Sequence, residues 1–393
     1  MPDLTITPIF LDGFATLPLA PEARDAMLAA WTFPGNAGSP NGSGERAARI
    51  IADARADVAA LIGAAPAEII FTSGATEANN LAILGIAHSA LARNSSRRRI
   101  VVSSVEHKAV LEPANILAGR GFDVVVAPVD QYGRVDLPRL ESLVDECTLL
   151  VSVMMVNNET GVVQPVSEVA SITHAAGALF HTDAAQAGGK VAIDVLELDV
   201  DYLSLSAHKC YGPMGVGALY CAAGAPTPEP LIYGGGQQNA VRPGTEPVAL
   251  IAGFGAAAKM AMVALCEDAS RGRTLIGALL DRLAQQQIRF ERITGDRPVV
   301  PASAAIRLED VNGDDLCAMV ARNVSLSTGS ACTAGQVRVS HVLERMGLSD
   351  VDARSVVRIY CHRYLTERDI DAAAAHIIAA IVRSRVATGE VRQ

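Results

Sequence analysis

Four side chains in this sequence are of types that do covalent, acid–base or ion-pairing chemistry, in places where solubility does not call for them. Lys209 closes Leu203-Ser-Leu-Ser-Ala-His-Lys209, past an alternating apolar run that reads as a strand and just before the Gly/Pro turn Cys210-Tyr-Gly-Pro-Met-Gly215. Lysine is seldom buried unless it is paired or chemically committed. Burial lowers its pKa, and a neutral amine can form a Schiff base. Cys332 sits in Ser327-Thr-Gly-Ser-Ala-Cys332-Thr-Ala-Gly335, with no bulky apolar neighbour for several residues on either side. That marks an accessible thiol, and the thiolate form is a nucleophile. His107 follows the apolar run Arg99-Ile-Val-Val-Ser103. Arg358 interrupts the strand-like Val356-Val-Arg-Ile-Tyr360, and a buried guanidinium needs a partner, for which a substrate carboxylate is well shaped. Taken singly, each has a plainer explanation: a loop lysine, a structural histidine, a core cysteine.

The elements around them change that balance. Glu68–Thr72, Arg99–Ser103, Phe122–Ala127, Thr148–Val156, Ala178–Thr182 and Tyr202–Leu205 read as strands. Helical stretches over Leu137–Asp145 and Val166–Ala176 alternate with them, as in a mainly parallel sheet covered on both faces. Ligands bind such sheets at the carboxyl ends of the strands. Five polar clusters fall at those ends: Ser73–Thr76, His107, Asn157-Asn-Glu-Thr160, Asp183–Gln186 and Ser206–Lys209. Together they imply one shared site. The first, a strand, a small-residue turn and a helix start, is an anion-binding arrangement.

Elsewhere, a helix is expected within Pro18–Met27, with Pro21-Glu22 suited to its first turn, an amphipathic helix over Glu45–Ile62, and a long helix, open to breaks, from about Val248 to about Gln286. Two loops rich in small residues, Gly35–Gly44 and Gly234–Thr245, join them. The pattern then changes to shorter pieces. We expect a large domain over 15–258, and a smaller one from 1–14 and 259–393 that carries the cysteine loop.

Composition narrows the class. The chain has 393 residues, 50% apolar and 19% charged, which fits a globular protein with a sizeable core. A formal charge of −9 argues against a nucleic-acid partner and against a polybasic membrane anchor. Neither a secretory signal nor an uninterrupted apolar run of spanning length is evident, so no membrane association is expected. The seven cysteines are scattered and never form a C-x-x-C pair, which suits a reducing cytoplasm. No metal site is expected.

Read together, the motifs resemble one family across nearly the whole chain: the cysteine desulfurases of the NifS/IscS type, pyridoxal 5'-phosphate (PLP) enzymes of the class V aminotransferase group. The resemblance rests on Thr72-Ser-Gly-Ala-Thr-Glu-Ala-Asn-Asn80, Val105-Glu-His107, Asn157-Asn-Glu-Thr-Gly161, His181-Thr-Asp-Ala-Ala-Gln186, Ser206-Ala-His-Lys209, Arg242-Pro-Gly-Thr245 and Ser330-Ala-Cys332, in family order. It implies an α/β, fold-type I PLP-dependent transferase: a large domain with a mainly parallel central sheet plus a smaller C-terminal α+β domain. It implies that Lys209 carries PLP as a Schiff base, that Asp183 pairs with the pyridine nitrogen, and that His107 stacks on the ring. Asn158 and Gln186 would hydrogen-bond the ring. Ala75, Thr76, Ser206 and His208 would hold the phosphate, and Thr245 would reach the neighbouring subunit's phosphate in a homodimer. Arg358 with Asn36 would bind the carboxylate of L-cysteine, and Cys332 would take its sulfur as a persulfide. L-alanine would leave, and a sulfur-acceptor protein would receive the sulfur for iron–sulfur cluster assembly or another pathway.

This chain departs from the family pattern at Gly13-Phe14, Asn41, Gln238-Asn239 and Tyr360-Cys361-His362, mostly on the substrate side. Two other readings therefore stand beside the first. One is another class V PLP enzyme, a selenocysteine lyase or an aminotransferase of small amino acids. The other is a non-catalytic binding partner, which would have no use for Lys209, Asp183, His107 and Cys332 together.

Overall fold

The protein is described here by a computed structural model covering residues 7–329 and 339–387. Twelve strands occur along the described chain: β1 (Ile9–Phe10), β2 (Ile69–Thr72), β3 (Arg99–Ser103), β4 (Asp123–Ala127), β5 (Thr148–Ser152), β6 (Leu179–Asp183), β7 (Tyr202–Ser206), β8 (Gly217–Cys221), β9 (Phe290–Arg292), β10 (Ser303–Leu308), β11 (Val324–Ser325) and β12 (Val356–Tyr360). Seven form one sheet, in the order β2-β8-β7-β6-β5-β3-β4. Only β8 runs against its neighbours; the other pairings are parallel. β5 and β7 are buried along their whole length, as inner strands of a two-sided sheet must be. Side chains alternate between the faces. Leu203 and Leu205 join the core on one side with Phe180 and Phe254, while Tyr202 joins Ile100, Leu150 and Leu219 on the other.

The long helix is Val248–Gln285, continuous over 38 residues rather than broken. Gly253 and Gly255 let it lie close to the helices Pro21–Trp31 and Gly42–Leu61. A Cβ at Gly253 would come within 2.6 Å of Met27 Cγ, and one at Gly255 within 2.6 Å of Ala54 Cα. By length and composition alone this helix is apolar enough to cross a membrane, a test that core helices also pass. The apolar stretch was hidden by Lys259, and here it packs on two neighbouring helices. The expected division at 258–259 falls inside it. Its first half gives Phe254, Ala257, Ala258 and Ala261 to the sheet core, and its second half gives Leu275, Ile276 and Leu279 to a separate core.

That separate core lies against the antiparallel sheet β12-β10-β9 and receives Leu11 from the start of the chain. β1 pairs with β11, and Asp12 bridges to Tyr360.

Local bounds are sharpened. The first helix begins at Pro21, the first turn the sequence suggested, and not as early as Pro18, because the Leu17 and Ala20 N–H groups donate to the His208 and Tyr211 carbonyls and hold that stretch extended. The second begins at Gly42, not Glu45, because the Asn41 side chain caps it by accepting from Gly44 N–H at 3.0 Å. The helices Lys108–Ala118 and Glu367–Ala387 were not anticipated. The first contains Pro113, and it accepts one lost backbone bond to bury Ala109, Val110, Ala114 and Leu117.

Candidate active site

Five strand ends converge as the polar clusters required. β7 ends at Ser206 and turns through a single 3₁₀ turn, Ala207–Lys209. The Lys209 amine donates to the Phe14 carbonyl and, at 2.8 Å, to the Ala15 carbonyl. Asp183 ends the adjacent β6 and is buried. Its Oδ2 accepts from Asn79 Nδ2 at 2.7 Å and its Oδ1 from Ala185 N–H at 2.9 Å. These groups face a cavity of about 510 Å³ that also gathers Ala75, Thr76, His107, Asn158, Gln186, Ser206, His208 and Arg358. Asn36 and Thr245 are exposed and do not line it. Asn36 instead accepts from Gly38 N–H at 3.0 Å.

One end of the cavity is an anion cradle. Gly74 precedes the helix Ala75–Asn80 with φ +150°, open to glycine and strained for other residues. Gly217 on β8 lies so close that a Cβ would come within 2.7 Å of Gly74 Cα. Glu77 fixes the turn by accepting from Ser73 N–H at 2.6 Å and from Arg242 Nε at 2.9 Å. Burial pushes the Glu77 carboxyl up, but Arg242 and Ser73 outweigh it and hold the group below its ordinary range. The Gly/Arg-rich loop is thus fastened to the cradle. The first N–H groups of the helix have no intrahelical acceptor and are free to serve an anion.

His107 stands over the cavity. Burial, with the nearby Lys209 and Lys108 charges, outweighs Asp183 and lowers its pKa, so the ring is neutral near pH 7. Its Nδ1 accepts from Ala109 N–H at 3.1 Å, which assigns the proton to Nε2. The preceding Glu106 is fully buried; its Oε1 accepts from Ser103 Oγ and from Met154 N–H, both at 2.6 Å. Burial raises this carboxyl to about 8, so it is held as a neutral acid.

The other end differs from expectation. Arg358 already has an ion partner: Nη2 donates to Asp12 Oδ1 at 2.7 Å, and Nη1 to the Asn158 carbonyl at 2.7 Å. Asp12 in turn accepts from Ser327 Oγ. Arg358 Nε, however, is buried without a protein partner, as is Asn79 Oδ1. The Phe14 ring packs on Tyr360 at 5.2 Å and lies 5.8 Å from the Arg358 guanidinium carbon. Cys332 lies outside the described residues. Of the residues flanking that segment, Ser340 donates its hydroxyl to Glu159, and a Cβ at Gly329 would collide with the same carboxyl. Burial raises Glu159 to about 7.

Sequence reading missed Asp12, Phe14, Asn79 and Lys190. Asn79 was inside a quoted motif, but its type gave no sign that it would hold Asp183. Lys190 follows Gly188-Gly189 four residues after Gln186, a lysine in a run of small residues that could have drawn notice.

The residues present fit PLP. The cradle offers donors for its phosphate, Asp183 offers a carboxylate at the opposite end, and the Lys209 amine stands between them. The donor set is that of fold-type I PLP enzymes, and the central sheet is theirs too. The chain belongs to the class V aminotransferase family, whose model matches residues 9–373. It is 40% identical over 384 residues to the cysteine desulfurase IscS of Vibrio cholerae serotype O1, covering 96% of this chain and 94% of that one. A solved NifS-like protein superposes with a TM-score of 0.88 at 34% identity, covering 96% of this chain and 100% of the other. The structure of SspA in complex with cysteine matches at TM-score 0.77 and 34% identity, over 91% of this chain and 99% of that one.

Proposed function

We propose that this protein is a PLP-dependent cysteine desulfurase that moves sulfur from L-cysteine to Cys332. The observation that carries the reading is the meeting of Lys209 and Asp183, from neighbouring strand ends, at one cavity in a chain this similar to a desulfurase. When bound, PLP supplies an electron sink for a carbanion at the substrate Cα. The chain supplies the rest. Ala75, Thr76, Ser206 and His208 hold the phosphate. Asp183, steadied by Asn79, meets the ring nitrogen, and neutral His107 covers the ring. The Lys209 amine takes the Cα proton. Arg358 offers its unpartnered Nε to the substrate carboxylate while Asp12 keeps the guanidinium in place. The Cys332 thiolate attacks the substrate sulfur. The C–S bond breaks, its electron pair stays on carbon and takes a proton, and an S–S bond forms. L-cysteine and a thiol thus become L-alanine and a persulfide, with no outside oxidant or reductant.

The working unit is a homodimer. Trp31 and Phe33, which share a surface groove, and Ile232 and Tyr233 are large apolar side chains left exposed, as residues of a subunit contact would be in a lone chain. In the dimer, Thr245 would reach the partner's phosphate cradle. A sulfur-acceptor protein would then relieve Cys332 of its sulfur. We also assign 15–258 to the PLP-binding domain and the remainder to a smaller one, with the long helix running through both.

The test is a single turnover of PLP-loaded protein with L-cysteine and no reductant. Alanine is quantified and intact mass is read for wild type and Cys332→Ser. We expect alanine and a sulfur adduct at Cys332, both lost in the variant. Alanine formed equally well by Cys332→Ser would mean a lyase in which that thiol is a bystander. A PLP-loaded protein that yields no alanine would remove L-cysteine as the substrate.

A further inference from the structure

A second lysine lies behind the first. Lys190 is buried, in the turn that follows Asp183, and among the described residues no carboxylate pairs with it. Its Nζ donates to Gln186 Oε1 at 3.0 Å and to the carbonyl of Lys209 at 2.8 Å. Gln186 Nε2 donates to the Phe14 carbonyl at 2.8 Å, and the Lys209 amine donates to that same carbonyl. The bonds close a ring that grips Lys209 at both its backbone and its amine.

Lys190 is a pure donor, so it dictates which end of the Gln186 amide faces it and sends the NH₂ group toward Phe14. The faces of Phe14 and Tyr360 replace a counter-ion: their centroids lie 5.9 and 5.7 Å from Nζ. This aromatic roof exists because residue 13 is glycine. A Cβ there would stand 2.2 Å from Tyr360 Cδ1.

We propose that Lys190 is a positioning residue for Lys209, fixing its carbonyl, orienting Gln186 and placing a second positive charge behind the Schiff-base amine. The inference rests on Lys209 being the amine that carries PLP. Burial, then the neighbouring Lys209 charge, brings Lys190 down to about 7. The charged and titratable groups around the two amines are Asp183, His107, His208, Cys210, Tyr360 and Arg358.

The test is a pH titration of the visible band of the PLP-loaded protein for wild type, Lys190→Met, Lys190→Gln and Lys190→Arg. Removing a nearby positive charge favours the protonated amine. The midpoint should rise by about one pH unit in Lys190→Met and Lys190→Gln, and stay near wild type in Lys190→Arg. Lys190→Gln keeps a donor and serves where the methionine variant does not fold. Neutral variants that titrate like wild type overturn the inference, because a purely structural lysine would not move the midpoint. A wild-type protein that takes up no PLP overturns the proposed function itself, a result distinct from an unmoved midpoint.

Discussion

The two ends of the cavity are built on opposite plans. At the cradle end, each cluster sits at the end of a sheet strand or on the helix that follows it, and the bonds within a cluster are local: Ser73 to Glu77, Asp183 to Ala185, His107 to Ala109. Only the ties between clusters, Arg242 to Glu77 and Asn79 to Asp183, reach across the chain. At the Arg358 end, the bonds of the arginine itself join distant parts of the chain: Arg358 to Asp12 and Arg358 to Asn158. The first plan makes a fixed socket that many sequences can share. The second leaves substrate preference adjustable, since a change at residue 13 or 14 is answered at 360 without disturbing the socket.

The sharpest way to break this contrast is in the socket. Lys209→Ala should lower turnover at least about 10⁴-fold while leaving the fold intact, because no neighbouring group can replace a covalent amine; steady-state assay beside circular dichroism checks this. At the far end, Arg358→Lys loses the planar fork shared between Asp12 and the Asn158 carbonyl. We expect KM to rise about 10- to 100-fold with a smaller change in kcat, equivalent to about 1.4–3 kcal/mol of binding. A loss confined to kcat would contradict a carboxylate-binding role.

Gly13→Ala tests the compensation directly. It should destabilise by about 1–3 kcal/mol in denaturant unfolding, as overpacking does, and Tyr360→Ser should restore much of that in the double variant. Additive losses would show that the two positions are independent. The smallest effect concerns pH. Burial raises the carboxyl of Glu106 in the folded state to about 8 from its ordinary 4.5. Its favourable contribution is therefore present below about pH 4.5 and is lost as pH rises toward about 8. Glu106→Gln should flatten the decline of stability across that window, measured as melting temperature against pH.

The sheet and the socket were legible in the sequence because both are local. Each strand announces itself by its own apolar run, and each polar cluster follows its strand directly. What could not be read was pairing across the chain. Nothing in Val356–Tyr360 says that Arg358 will meet Asp12, and nothing near Gly13 says that a tyrosine ring will fill the space above it. The helix start at Gly42 was missed on a smaller scale, because a cap from the Asn41 side chain sets it. Pro113 hid a helix that burial nonetheless imposes. Asn36 and Thr245, named by resemblance, lie outside this cavity, and a second subunit is the setting in which they would act.

The tie between Asp12 and Arg358 also has a meaning for the birth of the protein. The partners are 346 residues apart, and β1 can pair only when β11 has been made. On a ribosome, the strands of the socket would be complete long before the chain that closes the other end is available. The nascent protein therefore passes through a stage with a formed cradle and a carboxylate at residue 12 that has not met its arginine. The Arg358 end of the cavity can close only after the last strand has been made.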